Sequence, residues 1–192
     1  MEENKIITPP KVVIIGGSAG SLEVLIQVLP LLKLIPTFAL VIVLHRKSTE
    51  DNTLEELIAI KSIIPVKEVE DKTLLLPGFI YVAPSNYHLL FETSGELSLD
   101  TSEKINYSRP SIDVSFESAA EVYGRELTGI LLSGANADGT KGLQAINRTG
   151  GTVVIQDPET ADMPFMPRSA IENTIPDFVL DVAGILKFIN NL

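Results

Sequence analysis

The chain has 192 residues, 45% of them apolar and 21% charged, which fits one domain with a sizeable buried core and excludes intrinsic disorder. Fifteen Lys and Arg against 25 Asp and Glu leave a net charge of −10, which repels polyphosphate and argues against a nucleic-acid partner. There is no cysteine, so disulfides, thiolate catalysis and thiolate metal sites are excluded, and no cofactor or metal is expected.

In chain order, MEENKIITPP reads as a flexible leader over residues 1–10 that ends at Pro9-Pro10. Its acidic residues stand where a signal peptide needs basic ones. Residues 11–192 read as a single folded domain. A strand at 11–16 (KVVIIG) runs into Gly16-Gly17-Ser18-Ala19-Gly20 and then into a helix at about 20–32. The glycines permit a sharp strand-to-helix turn, and the segment matches G-x-S-x-G, a nucleophile elbow with Ser18 at its apex. A helix starting there would turn unpaired N–H groups toward an oxyanion, but the same turn also serves to bind phosphate or merely to close a βα unit. The apolar run from Val24 to Ile35 is interrupted by Gln27, Pro30 and Lys33, so nothing spans a membrane and the chain reads as cytoplasmic.

A second strand at 38–44 (FALVIVL) ends at His45 and precedes a helix at about 51–61. The interval 64–108 breaks this rhythm. FIYVA, YHLLFE and ELSLD alternate around Pro84-Ser85-Asn86 and Ser94-Gly95, which predicts an antiparallel hairpin insert carrying His88. A helix at 112–124, a strand at 127–133 (LTGILLS) and a helix at about 138–149 follow, with Asp138 after that strand within Ser133–Gly139. Strands at 152–156 and 177–181 and helices at 167–173 and 182–191 complete the chain. The fold class is therefore α/β: a doubly wound, mostly parallel sheet with helices on both faces and an antiparallel hairpin insert.

In such a sheet, functional groups gather at the carboxyl ends of the strands near a topological switch. Ser18, His45 and Asp138 each follow a different strand, so the rim would carry hydroxyl, imidazole and carboxylate together. These are the roles of a serine hydrolase: attack, proton transfer, and orientation of the ring. Only His45 and His88 can supply the imidazole, and His45 is preferred for its strand-end position. Asp138 has a plainer role open to it, as a helix N-cap. An α/β-hydrolase runs Ser, acid, His, so the order here belongs to another fold. Arg109 and Arg168 could face an acidic partner or pair with local carboxylates, and the Pro-rich segment Met163–Arg168 could be a substrate-facing lip or a rigid loop.

IGGSAGS, LH, VEDKTLLLPGFIYVAPSNYHL, RPSIDVSF, GILLSGANADGTKGL and IQDPETADMPFMPRSAI, in this order, resemble the chemotaxis-receptor protein-glutamate methylesterase family over nearly the whole chain after residue 10. The resemblance implies hydrolysis of γ-glutamyl methyl esters on the cytoplasmic helices of chemoreceptors, with deamidation of receptor glutamines as a second activity. It places nucleophile, base and acid on Ser18, His45 and Asp138. The sequence departs from the family where Gly17, Ala19 and Ser21 stand for an alanine, a threonine and a glycine. It also departs at Arg46-Lys47, which stand for a hydrophobic residue and proline, and at Ala135-Asn136-Ala137, which replace a methionine-glycine turn. No acidic receiver unit precedes the domain in this sequence, which leaves regulation to a separate receiver protein or to none. Two other readings stay open: a catalytically weak protein-interaction module of this fold, and a phosphate- or nucleotide-binding α/β module. GGSAGS lacks both G-x-G-x-x-G spacing and a P-loop lysine, which counts against the second.

Overall fold

Alternation along the first strand decides how the sheet is covered. In β1 (Lys11–Gly17), Val12 and Ile14 enter one apolar core while Val13 and Ile15 enter another, all four buried. A strand buried on both faces belongs in the middle of a parallel sheet. The computed structural model, which describes residues 11–46 and 53–192, places it there. The leader at 1–10, Lys47 and the expected start of the second helix at 51 lie outside the described residues.

After β1 come α1 (Ser21–Val28), β2 (Phe38–Leu44), α2 (Thr53–Lys61), β3 (Val66–Glu68), β4 (Thr73–Leu74), β5 (Ile80–Val82), β6 (His88–Phe91) and β7 (Glu96–Asp100). The second half holds α3 (Ile112–Tyr123), β8 (Leu127–Leu131), α4 (Thr140–Thr149), β9 (Thr152–Gln156), α5 (Phe165–Asn173), β10 (Phe178–Leu180) and α6 (Val182–Ile189). The main sheet has the order β10-β9-β8-β1-β2-β5-β3 with every pair parallel. Residues of α3, α4 and α5 pack on one face, and residues of α1, α2 and α6 on the other, so the sheet is doubly wound as expected.

The insert is only partly antiparallel. β4, β7 and β6 form a small antiparallel sheet, and β6 and β7 make the expected hairpin through Ser94-Gly95. FIYVA, in contrast, supplies β5, a parallel strand of the main sheet beside β2. Its apparent alternation is misleading because Tyr81 is fully buried, its hydroxyl accepting from the Leu76 N–H at 2.8 Å. α1 begins at Ser21 because Gly20 holds a left-handed conformation, φ 81°, before it. α4 begins at Thr140 because Gly139 does the same, φ 95°.

β1 is the switch point. The connection after β1 leaves to the α1 face and that after β8 to the α4 face, which opens a crevice at the carboxyl ends of two adjacent strands. Among the described residues no helix is long and apolar enough to cross a membrane.

Candidate active site

Ser18 sits one residue beyond β1, in a turn closed by the Ser21 N–H donating to the Ser18 carbonyl at 3.0 Å. Gly20, at φ 81° and ψ −10°, occupies the position of a type II turn that excludes most L residues. A Cβ there would also come within 2.6 Å of both Ser133 Oγ and Asp162 Cβ. Ser133 secures the turn from the neighbouring strand end. Its carbonyl accepts the Ser18 N–H at 2.9 Å, and its hydroxyl donates to the Ala19 carbonyl at 2.7 Å while accepting the Met163 N–H at 2.9 Å. Ser18 itself is half-buried and Ala19 exposed, so the apex of the turn is open to solvent.

The register Gly17↔Leu44 ends β1 and β2 together, and the His45 N–H donates to the Gly17 carbonyl at 3.0 Å. Ser18 and His45 thus leave neighbouring strands side by side, at a strand spacing of about 4.8 Å. The His45 ring turns Nε2 to Asp138 Oδ2 at 2.6 Å, with the imidazole 11% and the carboxylate 0% exposed. With Nε2 protonated toward the carboxylate, Nδ1 is the ring's basic nitrogen.

Asp138 does more than meet the histidine. Its Oδ2 accepts the Ile112 N–H at 2.7 Å, and its Oδ1 accepts the Asp113 N–H and the Ser111 hydroxyl, both at 3.0 Å. It therefore caps α3, a helix reached through space, and not α4, the helix it precedes. Burial pushes its carboxyl up, but the hydrogen bonds from His45, Asp113 and Ile112 outweigh that and hold it at about 2. The capping is reciprocal: Asp113, in the first turn of α3, accepts the Gly142 N–H of α4 at 2.9 Å. Burial pushes Asp113 up to about 6 against that bond, and the neighbouring Asp138 charge adds to the rise. The Asn106 amide lies between the two carboxylates, 3.3 Å from Asp113 Oδ2 and 3.4 Å from Asp138 Oδ1. A cleft of about 510 Å³, lined in part by Asn106, Tyr107, Asp138 and Lys141, opens beside this cluster.

The structure separates the two histidines. His88 is fully buried, with Nδ1 accepting the Ser111 N–H at 3.2 Å and Nε2 at 2.9 Å from the Glu103 carbonyl. Both ring nitrogens are committed, so it supports the start of α3. In the Gly134-Ala135 turn after β8, the Gly134 N–H is bound to the Met163 carbonyl at 3.0 Å. The N–H groups of Ala19 and Ala135 have no acceptor among the described residues. Arg46 forms a two-pronged pair with Glu55 at 2.6 and 3.0 Å, which ties the end of β2 to α2. Arg168 pairs with Glu159, whereas Arg109 donates to the carbonyls of Thr101 and Ser102. Asp113, Asn106, Ser111 and Ser133 escaped sequence reasoning. Ser111 and Asp113 lie within the RPSIDVSF stretch, which carries no local pattern that marks them as site residues. Among the described residues no group of three or more His, Asp or Glu is placed to hold a metal.

A family model described as CheB methylesterase matches residues 13–189. A provisionally named protein-glutamate methylesterase/protein-glutamine glutaminase of Leptospira interrogans is 43% identical over 175 residues, 91% of each chain. The protein-glutamate methylesterase/protein-glutamine glutaminase of Thermotoga maritima is 39% identical over 176 residues, 88% of this chain and 50% of that protein. The crystal structure of the Thermotoga maritima CheB methylesterase catalytic domain superposes with a TM-score of 0.89 at 35% identity, covering 95% of this chain and 98% of that one.

Proposed function

The chain belongs to the CheB methylesterase family, and from that premise we propose that it is a carboxylic ester hydrolase that removes methyl groups from glutamate side chains of chemoreceptors through Ser18, His45 and Asp138. One observation carries the assignment of residues: the 2.6 Å contact of His45 with Asp138, formed beside Ser18 at the ends of adjacent strands.

In the reaction, His45 Nδ1 takes the Ser18 proton as Oγ attacks the ester carbonyl, and Asp138 holds the opposite ring nitrogen and stabilises the imidazolium. The Ala19 N–H, and a second donor at Ala135, receive the oxyanion. Collapse expels methanol with the proton from His45 and leaves a glutamyl ester on Ser18. Water then attacks by the reverse proton path, releasing the glutamate carboxylate. With a glutamine substrate the same steps release ammonia, the activity that the names of its relatives pair with the esterase. The substrate is the cytoplasmic helix of a methylated receptor, which places the protein in the cytoplasm, and residues 11–192 are the catalytic unit. A separate receiver protein is one route to its regulation.

The test is methanol release from methylated receptor by the wild-type protein and by Ser18→Ala. The variant is expected to keep its circular dichroism and thermal midpoint and to lose turnover. Retained turnover in Ser18→Ala overturns the residue assignment.

A further inference from the structure

Two of the three departures at the nucleophile turn meet each other in space. Ser21 is fully buried, and a Cβ built on Gly17 would lie 2.5 Å from Ser21 Cβ and 2.9 Å from its Oγ, closer than real side chains approach. The next neighbour, Leu132 Cβ, stands at 3.3 Å, so an alanine at 17 is blocked chiefly by Ser21. The family resemblance implies an alanine at the first position and a glycine at the second. Here the side-chain atoms stand on the other side of the same small space.

The exchange brings a hydroxyl with it. Ser21 Oγ donates to the Ser18 carbonyl, which already accepts the Ser21 N–H at 3.0 Å. That carbonyl belongs to the Ser18–Ala19 peptide, and in a trans peptide the N–H points opposite to the C=O. Two donors on the Ser18 oxygen therefore fix the direction of the Ala19 N–H, which has no acceptor among the described residues. The following peptide is fixed likewise by Ser133 Oγ on the Ala19 carbonyl.

We infer that Gly17 and Ser21 form one compensated exchange, and that Ser21 is a positioning residue whose hydroxyl clamps the Ser18 carbonyl and holds the Ala19 N–H toward the space beside the Ser18 hydroxyl. The kinetic half of this rests on Ser18 being the nucleophile; the packing half does not. A preorganised donor acts on the transition state more than on bound substrate, so its loosening lowers kcat with little change in KM.

The packing half is tested by thermal unfolding of wild type, Gly17→Ala, Ser21→Gly and the double variant. Gly17→Ala alone is expected to lose about 4–10 °C, from overpacking in a domain of this size. Adding Ser21→Gly is expected to recover most of that loss, and purely additive losses overturn the pairing. The positioning half uses Ser21→Ala, which keeps the Cβ and removes only the hydroxyl. Labelling of Ser18 by a fluorophosphonate probe, whose phosphonyl oxygen enters the oxyanion site, is expected to slow by about three- to tenfold, as for the loss of one hydrogen bond. On methylated receptor, kcat should fall by the same factor at unchanged KM. Labelling at the wild-type rate overturns the positioning role, as does a wild-type protein that the probe does not label. A wild-type protein that labels readily but releases no methanol from receptor counts against the proposed substrate and leaves the positioning result standing.

Discussion

His45 Nε2 stands 2.6 Å from Asp138 Oδ2, and the same oxygen accepts the Ile112 N–H at 2.7 Å. One carboxylate atom thus serves the imidazole and the first turn of α3 together. The helix N-terminus is a favourable place for a negative charge: burial pushes the Asp138 carboxyl up, but the hydrogen bonds from His45 and from the Asp113 and Ile112 N–H groups outweigh it and hold its pKa at about 2. The cap and the orientation of the histidine are one structural unit, so neither can be altered alone.

Asp138→Asn tests this union. An amide supplies one acceptor oxygen where the carboxylate serves several donors, and its NH2 faces the His45 ring and the α3 amides. Turnover is expected to fall by about 10³- to 10⁴-fold, as when a triad carboxylate is made neutral. Loss of the charged cap should also cost about 1–2 kcal/mol, read by urea unfolding. A variant that loses activity at full stability would separate the two roles and contradict the shared-oxygen arrangement.

The two histidines are expected to fail differently. His45→Ala should abolish methanol release and cost about 1–3 kcal/mol as well, since it leaves the fully buried Asp138 carboxylate without its imidazole partner at 2.6 Å. His88→Ala opens a cavity and strips partners from the Ser111 N–H and the Glu103 carbonyl, at a cost of about 2–4 kcal/mol. Below its melting transition that protein should still be labelled at Ser18 by a fluorophosphonate. An unlabelled but folded His88→Ala would give His88 a part in the chemistry.

The gathering of Ser18, His45 and Asp138 at one rim was legible in the sequence because each follows a β-branched strand, and strand ends share one rim in a parallel sheet. The role of Asp138 as a cap was also foreseeable, but on the wrong helix. Its donors are Ile112 and Asp113, some 25 residues upstream, and only the packing of α3 against α4 brings them there. Asp113 and Asn106 were hidden for the same reason, since their chemistry is a contact between loops and helix starts that local pattern does not encode. β5 was misjudged on a different ground. Tyr81 counts as polar in an alternating pattern, yet inside the sheet its ring fills the core and its hydroxyl is satisfied by Leu76. A period-2 pattern containing tyrosine does not separate a half-exposed strand from a fully buried one.

Gly16→Ala probes the link between sheet and site. A Cβ at Gly16 would meet Ile112 Cγ2 at 2.4 Å and Phe116 Cζ at 3.0 Å, so it pushes on the first turn of α3. Overpacking of this kind costs about 1–3 kcal/mol. Because the displaced turn carries the N–H groups that hold Asp138, turnover should fall more than the loss of folded protein explains. Turnover per folded molecule equal to wild type would show that Asp138 is held independently of the packing of β1 against α3.

Asp113 gives the protein a pH dependence of stability opposite in sign to that of Asp138. Burial, opposed by the Gly142 N–H and reinforced by the Asp138 charge, raises Asp113 from an ordinary 3.8 to about 6. Below pH 4 it is protonated in both folded and unfolded chains and costs nothing. As pH climbs from about 4 through 6, the unfolded chain releases its proton first, so stability falls until the folded carboxyl has ionised as well, by up to about 3 kcal/mol. Asp138, held at about 2, contributes stability above pH 4 that is lost as pH falls toward 2. Asp113→Asn keeps an oxygen for the Gly142 N–H and removes the charge. It should therefore be more stable than wild type at pH 7, by about 1–3 kcal/mol, with the advantage shrinking to nothing near pH 4. Urea unfolding of the two proteins at pH 4, 5, 6 and 7 measures this directly. A difference that stays constant across that range would mean that Asp113 ionises normally in the fold and that the two carboxylates do not sense each other.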